Sequence, residues 1–477
     1  MMQQAMSTDT FPDELQLEDM RNKHVFSQSH LLQSSLAFDS PTEAKDMHIP
    51  LSKPRPYPLF HPAIAQHRKQ YFTFYFVYAA LLIILMWALL PIYWASLAYN
   101  TQLSDHLQVF VIDHDQSTVG NGVVAAVQQA INQRGTVSTL GWTILPSNDT
   151  SLPTNDDVFD AIADEQAWAA VLIQAAATNS VISSFTSSSS QNSPVINVYY
   201  NEARNEIAAS TYIVPILNSV LVPVTASLYS NLTSQFLASN ANNQTEIQAF
   251  SAALARQGST AGLTFNLINV RPYTTPVVLA LTEVGLILIV IFSFILTMAN
   301  SALRPMLSPH LSLSSYVLLR VFTPLLAYIP LSLSFATISL AFRVPFNAKY
   351  TEAQGFGLFW ILCYIIMGGV GMATEFAIGA LTIRFAPFFL VTLIISNVSI
   401  TSTPLEIQPG VFRYGRGFPF FNASQAFRTI VFDTKSHLST NVPVLIGWLL
   451  ISMLTVAVST WIIEGRNRRL GIVEAPH

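Results

Sequence analysis

Long apolar stretches separated by polar segments set the pattern of this chain. The first, Tyr71–Ala98, carries no charged residue. At about 1.5 Å of rise per residue, a helix of this length crosses a bilayer core of about 30 Å. Five later stretches predict five more spans, of which the fourth is short for a full crossing: Val277–Ala299, Ser315–Phe342, Gly355–Thr382, Phe388–Ile400 and Val442–Ile463.

Between the first and second spans lies a polar region, residues 100–276, without a segment that reads clearly as a span. Period-two apolar runs predict strands at Leu107–Ile112, Ala169–Ile173 and Val195–Tyr200. Helical spacing predicts helices at Gly122–Gln133 and Val158–Trp168, the latter capped by Asp156 or Asp157, and a long helical stretch to about Arg256. We therefore expect a mixed α/β domain with a helical arm.

Basic residues flank the apolar stretches and predict their orientation. His67, Arg68 and Lys69 precede the first span, and an Arg-rich cluster follows the last one. Because basic flanks stay in the cytoplasm, six spans predict cytoplasmic termini and an exterior α/β domain. Four Asn-X-Ser/Thr triplets fall on the exterior side and are candidate glycosylation sites: Asn148, Asn231, Asn243 and Asn422.

The two ends of the chain complete the predicted domain organisation. Residues 1–66 are rich in Ser, Gln, Pro and acidic residues. They cannot bury enough apolar surface to offset ordering entropy, so we expect a disordered cytoplasmic N-terminus. Residues 277–463 form the predicted five-helix membrane domain, and residues 464–477 a cytoplasmic tail. The fold class is a six-helix membrane protein, one span plus five, with the α/β domain between the first and second.

Composition supports the membrane assignment and narrows the function. Charged residues make up 10% of the chain and hydrophobic ones 51%, whereas soluble domains carry about 25% charged residues. The net charge is −4 and the basic residues form no stripe, so nucleic acid is excluded as an expected partner. No G-x-x-x-x-G-K-[ST], H-E-x-x-H or G-x-S-x-G motif occurs, and no metal-ligand spacing. We therefore expect no enzyme activity, cofactor or metal.

Charged residues inside the predicted spans are the sharper candidates, because ionisable groups in a membrane usually face the bundle interior. They are Glu283, Arg320 and Glu375. Helical spacing places Glu375 on one face with two small residues, Gly371 and Gly379, that permit close helix contact. A polar stripe of Ser293, Thr297 and Ser301 runs down the helix of Glu283.

These charges have two interpretations. In the first, Glu283 and Glu375 line a transport route or couple protons to transport. In the second, they are structural ties, Glu375 to Arg320 and Glu283 to a nearby hydroxyl or a water-exposed crevice. The segment 418–435 is similarly open. Phe420, Phe421, Phe427 and Arg428 fit an amphipathic helix in the outer interface that contacts lipid, or a lid that closes the bundle.

Three segments carry a resemblance: VIDHDQS at the end of the first strand, VYYNEARNEIAASTYIVPIL, and FPFFNASQAFRTIVFDTK. With the one-plus-five plan, they resemble the fungal nitrosoguanidine-resistance membrane protein family. That family is similar in plan to the membrane subunits of type-2 ABC exporters. The resemblance covers roughly residues 70–465. It implies a plasma-membrane protein linked to drug tolerance or lipid handling, and a homodimer. Because no P-loop occurs in the chain, either a separate ATPase subunit docks on the inner loops, which are short and offer little docking surface, or the fold works without ATP.

The resulting hypothesis is a transporter-like protein that exports or relocates amphipathic drugs or phospholipids, with membrane lipids and such drugs as its partners. The alternative is a non-transporting membrane scaffold or regulator that recruits partners through its N-terminal tail. Movement of a labelled amphiphile in liposomes distinguishes these two functions.

Overall fold

The computed structural model describes residues 58–146, 151–187, 194–257 and 262–470. Its described residues divide into two units, one that ends at Phe74 and one that begins at Tyr75. In the first unit, a 3-10 turn at Pro62–Ile64 leads into helix α1, Ala65–Ala98, whose residues from Tyr75 onward belong to the second unit. Arg68 Nη1 donates a hydrogen bond of 2.8 Å to the carbonyl of Leu59. Most of the predicted N-terminal tail, residues 1–57, and the last seven residues lie outside the described part of the chain.

A five-stranded mixed sheet follows α1 along the chain. Its strands lie in the order β2-β1-β3-β4-β5. β1 pairs in parallel with β2 and β3, β4 is antiparallel to β3, and β5 is parallel to β4. The strands are β1 Gln108–Asp113, β2 Gly141–Ile144, β3 Ala169–Ile173, β4 Ile196–Tyr200 and β5 Phe265–Asn269. The sequence pattern predicted β1, β3 and β4 and missed the two edge strands.

Helices cover both faces of the sheet because residues alternate between the faces along each strand. Val109 and Val111 of β1 pack in one core with α2 and α5, and Ile112 packs in a second core with α3. The covering helices are α2 Thr118–Asn132, α3 Asn155–Ala163, α4 Ala177–Ser184, α5 Val214–Ser239 and α6 Gln244–Gln257. A short turn at Glu206–Ala208 and a π-helical turn at Ala209–Ile213 lead into α5.

Helix α3 differs from its prediction at both ends. Its N-cap is Thr154, whose side chain accepts a hydrogen bond from the Asp157 amide, and the Asp157 carboxylate accepts one from the Thr154 amide. Asp157 is therefore the third residue of a capping box rather than the cap itself. The helix ends at Ala163 instead of continuing to Trp168.

Six helices form the second half of the chain around a central one. They are α7 Gly285–Leu303, α8 Leu313–Ala341, α9 Glu352–Leu381, α10 Ala386–Val398, α11 Pro419–Phe432 and α12 Leu438–Arg469. α9 packs against the other five. Gly368 and Gly369 lie against Leu449 and Trp448 of α12, so small residues allow close approach of the two backbones.

Six helices in the described part of the chain are long and apolar enough to cross a membrane: Pro62–Ala98, Glu206–Ser239, Pro276–Met306, Leu313–Ala341, Glu352–Leu381 and Leu438–Arg469. Five coincide with predicted spans. The predicted fifth span corresponds to α10, a shorter helix of 13 residues. Glu206–Ser239 takes its place by length, but Leu217 and Leu221 on its inner face pack in the core of the sheet.

Helix α11 lies inside the protein, so of its two interpretations the structure favours the lid that closes the bundle over the helix in the membrane interface. Phe420 and Phe427 are fully buried, and the Phe427 ring packs 4.7 Å from that of Phe359 in α9, measured between centroids. Phe421 is half-buried. Asn422 is 3% exposed and donates to the carbonyls of Arg416 and Phe418, so a glycan has no room at this predicted site.

Candidate functional site

The sheet with its helices α2–α6 is the α/β unit, or sheet unit, and helices α7–α12 form the bundle. A cavity of about 440 Å³ lies where the α/β unit meets the bundle. Its wall comes from the sheet unit, the segment after α10, α11 and the beginning of α12. The lining residues used below are Glu165, Trp168, Arg204, Glu406, Arg416, Arg428, Lys435, His437, Thr440, Asn441 and Val444. We call this space the junction cavity. Its volume is within the range of small-molecule sites, about 300–1,000 Å³.

Arg204 forms the wall on the side of the sheet. Its guanidinium stacks 3.7 Å from the centre of the Trp168 ring and faces Glu165 at 3.7 Å and Glu406 at 3.5 Å. Burial lowers the pKa of Arg204, and the two carboxylates raise it, with a net shift downward. An arginine stays charged under such shifts, so this wall presents a fixed, stacked cation.

Arg428 joins the two walls of the cavity. Its Nη1 lies 2.6 Å from Oε2 of Glu206 and 3.0 Å from the carbonyl of Ala203. The arginine belongs to α11 and both acceptors belong to the segment between β4 and α5. The pair is nearly buried, with 8% and 17% of the two side chains exposed. Such a bonded pair fixes how α11 lies against the sheet unit.

Two further cations of the lining have no carboxylate partner among the described residues. Arg416 is exposed, and Lys435 Nζ donates to the carbonyl of Asp164 at 2.9 Å. The four cations of the lining meet two carboxylates of the lining and Glu206 behind Arg428. The junction cavity therefore carries an excess of one positive charge, before any protonation of His437, which hydrogen-bonds Glu165 at 3.1 Å.

Asn441 brings an unsatisfied donor to the same cavity. The residue is 2% exposed, and its Nδ2 has no hydrogen-bond partner in the part of the chain that the structure describes. A buried donor left without an acceptor costs about 1–3 kcal/mol. Asn441 lies in the first turn of α12, and the positive end of that helix dipole lies beside the cavity. The arrangement can receive an acceptor atom or an anion.

A second polar cluster, the buried charge centre, consists of Glu375, Arg320 and Arg304. Arg320 Nη2 and Nε lie 2.7 and 2.8 Å from Oε1 of Glu375. Arg304 Nη1 lies 2.9 Å from the same oxygen. Glu375 is fully buried, and within the described ranges its Oε2 and the Nε of Arg304 have no hydrogen-bond partner. The structure thus brings the two predicted residues together and adds a third.

Arg304 lies buried in the bundle, not in an exposed loop. Its position after the second predicted span suggests a short basic loop in the cytosol, yet Arg304 is 8% exposed and lies on Glu375. A single carboxylate deep in apolar surroundings needs compensation, and a long arginine side chain at the end of α7 reaches it.

The remaining predicted polar residues lie apart from this centre. Glu283, in the π-helical turn before α7, accepts a hydrogen bond of 2.5 Å from Ser402. Ser293 and Thr297 are buried and donate to carbonyls four residues earlier, whereas Ser301 is half-buried and bonds Met298. The hydroxyl groups of the stripe therefore donate to backbone carbonyls of α7 itself.

The two predicted close-packing glycines both face α8. A Cβ on Gly379 would lie 2.6 Å from Nη2 of Arg320, and one on Gly371 would overlap the hydroxyl of Tyr328. That hydroxyl pairs with Thr297 at 3.2 Å, which links α8 to the polar stripe of α7. Gly371 and Gly379 therefore leave the space that Tyr328 and Arg320 occupy.

Of the other glycosylation candidates, Asn231 and Asn243 are exposed on the sheet unit, in α5 and just before α6. Asn148 lies outside the described residues. Across the described ranges, no three His, Cys, Asp or Glu side chains are grouped so that they could hold a metal ion.

Sequence reasoning missed most of the junction cavity. Arg204 stands in the YYNEARNE segment that carries the resemblance, so a signal for it was present. Arg416 and Lys435 stand in polar segments without a motif. Asn441 gives no local signal, because a single asparagine at a helix start resembles an ordinary capping residue. Their convergence depends on contacts across some 270 positions of the chain, as between Glu165 and His437.

Comparison with known proteins places the chain in context. Residues 78–454 match a family described as "Protein of unknown function (DUF3533)". An uncharacterized endoplasmic reticulum membrane protein of Saccharomyces cerevisiae is 23% identical over 420 residues, which cover 82% of this chain and 80% of that protein. No solved structure matches. With the six candidate helices, these matches identify a multi-pass membrane protein.

Proposed function

This chain belongs to the DUF3533 family, and we propose that it is a transporter-like membrane protein that binds amphipathic molecules in the junction cavity and exports or relocates them. Drugs and phospholipids are the candidate substrates, with a contribution to drug tolerance as the consequence. One observation carries the proposal: a 440 Å³ space lies between a sheet unit and a helix bundle, with charged and apolar residues on the same wall. Such a mixed lining suits a molecule with a polar head and an apolar body.

The proposed topology follows from how the helices are used. Because the inner face of α5 packs in the core of the sheet, we assign α5 to the α/β unit and not to the membrane. The bundle then consists of α1, α7, α8, α9, α10 and α12, with both termini cytoplasmic and the α/β unit exterior. This is the one-plus-five plan.

In that plan α10 is too short to cross the membrane alone, so the residues that follow it must complete the span. Its 13 residues rise about 20 Å, short of a bilayer core of about 30 Å. The chain continues through residues 399–407, where Ile400 and Ile407 are fully buried. Irregular backbone is tolerated at membrane depth where protein surrounds it, so this buried segment can complete the crossing.

The proposed compartment is a membrane of the secretory pathway. The yeast relative is named for the endoplasmic reticulum, and we propose that membrane first, with the plasma membrane as the later destination suggested by the sequence resemblance. We propose neither an enzymatic activity nor a resident cofactor. A homodimer and a separate ATPase subunit stay predictions of that resemblance.

The decisive experiment measures movement of a labelled short-chain phospholipid, and of a labelled amphipathic drug, in liposomes that contain the purified chain. It is run with and without a proton gradient and with and without ATP. Val444→Trp fills the junction cavity from α12, and Val458→Trp places the same side chain on an exposed position of the same helix. We expect movement for the wild type and Val458→Trp and loss for Val444→Trp.

Two results would overturn the proposal. Equal movement by both tryptophan variants removes the junction cavity from the route. No movement by the wild type under any of these conditions removes transport altogether and favours the scaffold. In that case, deletion of residues 1–60 should abolish the function in cells.

A further inference from the structure

We infer that the junction cavity binds the anionic, phosphate-bearing head of its amphiphile, with the buried amide of Asn441 as a donor and Lys435 and Arg416 as the charges that attract it. This inference rests on the proposed function for the apolar part of the ligand. The recognition of the head rests on three separate features of the cavity wall.

The first feature is the unsatisfied donor. Asn441 lines the cavity, and its Nδ2 is buried and has no hydrogen-bond partner among the described residues. Donors in such positions normally have an acceptor, so an unfilled donor in a cavity points to an acceptor on the ligand. Phosphate oxygens are strong acceptors, and a hydrogen bond to a charged group is stronger than one to a neutral group.

The second feature is charge. Arg204 already faces two carboxylates and Arg428 one, so these cations are compensated within the protein. Arg416 and Lys435 lack a carboxylate partner in the described part of the chain, and both are exposed residues that line the cavity. A cationic ligand would meet them unfavourably, whereas an anionic head neutralises them.

The third feature is the backbone of α12. Its first turn carries Asn441, and His437 and Thr440 beside it also line the cavity. The amino-terminal end of a helix carries a partial positive charge and favours phosphate groups. The amide of Asn441, the two cations without a carboxylate partner and the amino-terminal end of α12 therefore all favour an anionic ligand group.

Binding to the purified full-length chain in detergent, measured by calorimetry, tests the inference with three probes. Dioctanoyl phosphatidic acid carries head and tails, dioctanoylglycerol has the tails alone, and inorganic phosphate has the head alone. We expect the phosphatidic acid to bind at least tenfold more tightly than either of the others. Equal binding of dioctanoylglycerol would overturn headgroup recognition. Equal binding of inorganic phosphate would show a site for the free ion and overturn an amphiphile as the occupant.

Variants then separate the residues. Asn441→Asp keeps the shape and replaces the donor with a negative charge, so we expect at least a tenfold loss for phosphatidic acid and no change for dioctanoylglycerol. Arg416→Gln and Lys435→Gln should each weaken the phosphatidic acid about threefold or more. Arg413→Gln is the matched control, because Arg413 is exposed in the same segment, Gly410–Gly417, but does not line the cavity.

Failure of this inference is distinguishable from failure of the proposed function. Movement in liposomes without preference for the charged head overturns the inference alone. Tight, head-dependent binding without movement overturns the transport proposal alone. If Asn441→Asp does not fold, the exposed Arg416 and Lys435 variants decide, and wild-type affinity in both would overturn the role of the two cations.

Discussion

Arg304 Nη1 lies 2.9 Å from Glu375 Oε1, although the arginine follows α7 and the glutamate lies deep in α9. Arg320 of α8 reaches the same oxygen at 2.7 Å. Three helices that are separate in sequence therefore meet at one carboxylate. Because removal of one partner leaves a buried charge uncompensated, the centre ties α7, α8 and α9 together.

This relationship predicts a large stability loss when the carboxylate is removed. Glu375→Gln leaves two buried guanidinium groups without an anion and should lower the free energy of unfolding by about 3–5 kcal/mol. The chain has one cysteine, Cys363, which is fully buried in α9. Thermal unfolding in detergent can therefore be followed with a thiol-reactive dye at a single site inside the bundle.

Arg384→Gln is the control for that measurement, because Arg384 is exposed and should change stability by less than about 0.5 kcal/mol. The double variant Glu375→Gln, Arg304→Gln should lose less than the sum of the single variants, since they share one interaction. Additive losses would contradict the shared centre. If Glu375→Gln still reaches the membrane, unchanged movement of the labelled lipid in liposomes would identify this charge as structural. Loss of that movement would support a role of Glu375 in the transport route.

A second prediction concerns the glycines of α9. Gly371→Ala pushes a methyl group against the buried Tyr328 hydroxyl and should destabilise by about 1–3 kcal/mol. Gly357 lies in the same helix with open space around it. Gly357→Ala should be neutral or stabilise by up to about 1 kcal/mol, as alanine favours a helix. The same Cys363 melt measures both, and equal effects would argue against close packing at Gly371.

A third prediction addresses the side of the membrane. If the α/β unit is exterior, Asn243 and Asn231 are accessible to the glycosylation machinery, and Asn422 is not. Digestion with an endoglycosidase should increase the gel mobility of the protein. Asn243→Gln and Asn231→Gln should together reduce that shift, while Asn422→Gln should leave it unchanged. Loss of the shift in Asn422→Gln alone would contradict the buried position of α11.

A fourth prediction tests the junction between sheet unit and bundle. In the wild type, Arg428 Nη1 lies 2.6 Å from Oε2 of Glu206. Arg428→Gln removes this charged partner and should lower the free energy of unfolding by about 2–4 kcal/mol. Limited proteolysis of the exposed segment around residue 413 reports loosening of the junction. Arg384→Gln, in an exposed position that does not line the junction cavity, provides the control and should be cleaved at the wild-type rate.

Local patterns in the sequence predicted a large share of the elements. Uninterrupted apolar length predicted α1, α7, α8, α9 and α12, because a helix that crosses or fills a bundle needs apolar residues on all sides. Alternation predicted β1, β3 and β4. The edge strand β5 escaped because its residues are mostly half-buried or exposed, and an edge has only one neighbour to enforce the pattern.

The sequence by itself also offered the pairing of Glu375 with Arg320, from their similar depth, as one of two interpretations of that carboxylate; the structure shows the pair. The sequence did not predict the contact of Arg304 with Glu375, because a charged residue at the end of a helix is equally typical of an exposed loop. Nor did it distinguish an interfacial α11 from a buried one, because both need aromatic residues on one side.

Only the tertiary structure decided how α5 is used and where the junction cavity lies. The apolar face of α5 satisfies a span by length, but the sheet beside it supplies another partner for that face. Asn441, Arg416 and Arg204 come together through packing between units that are distant in sequence. Periodicity reports on the environment of one element, whereas a site of this kind depends on which elements become neighbours.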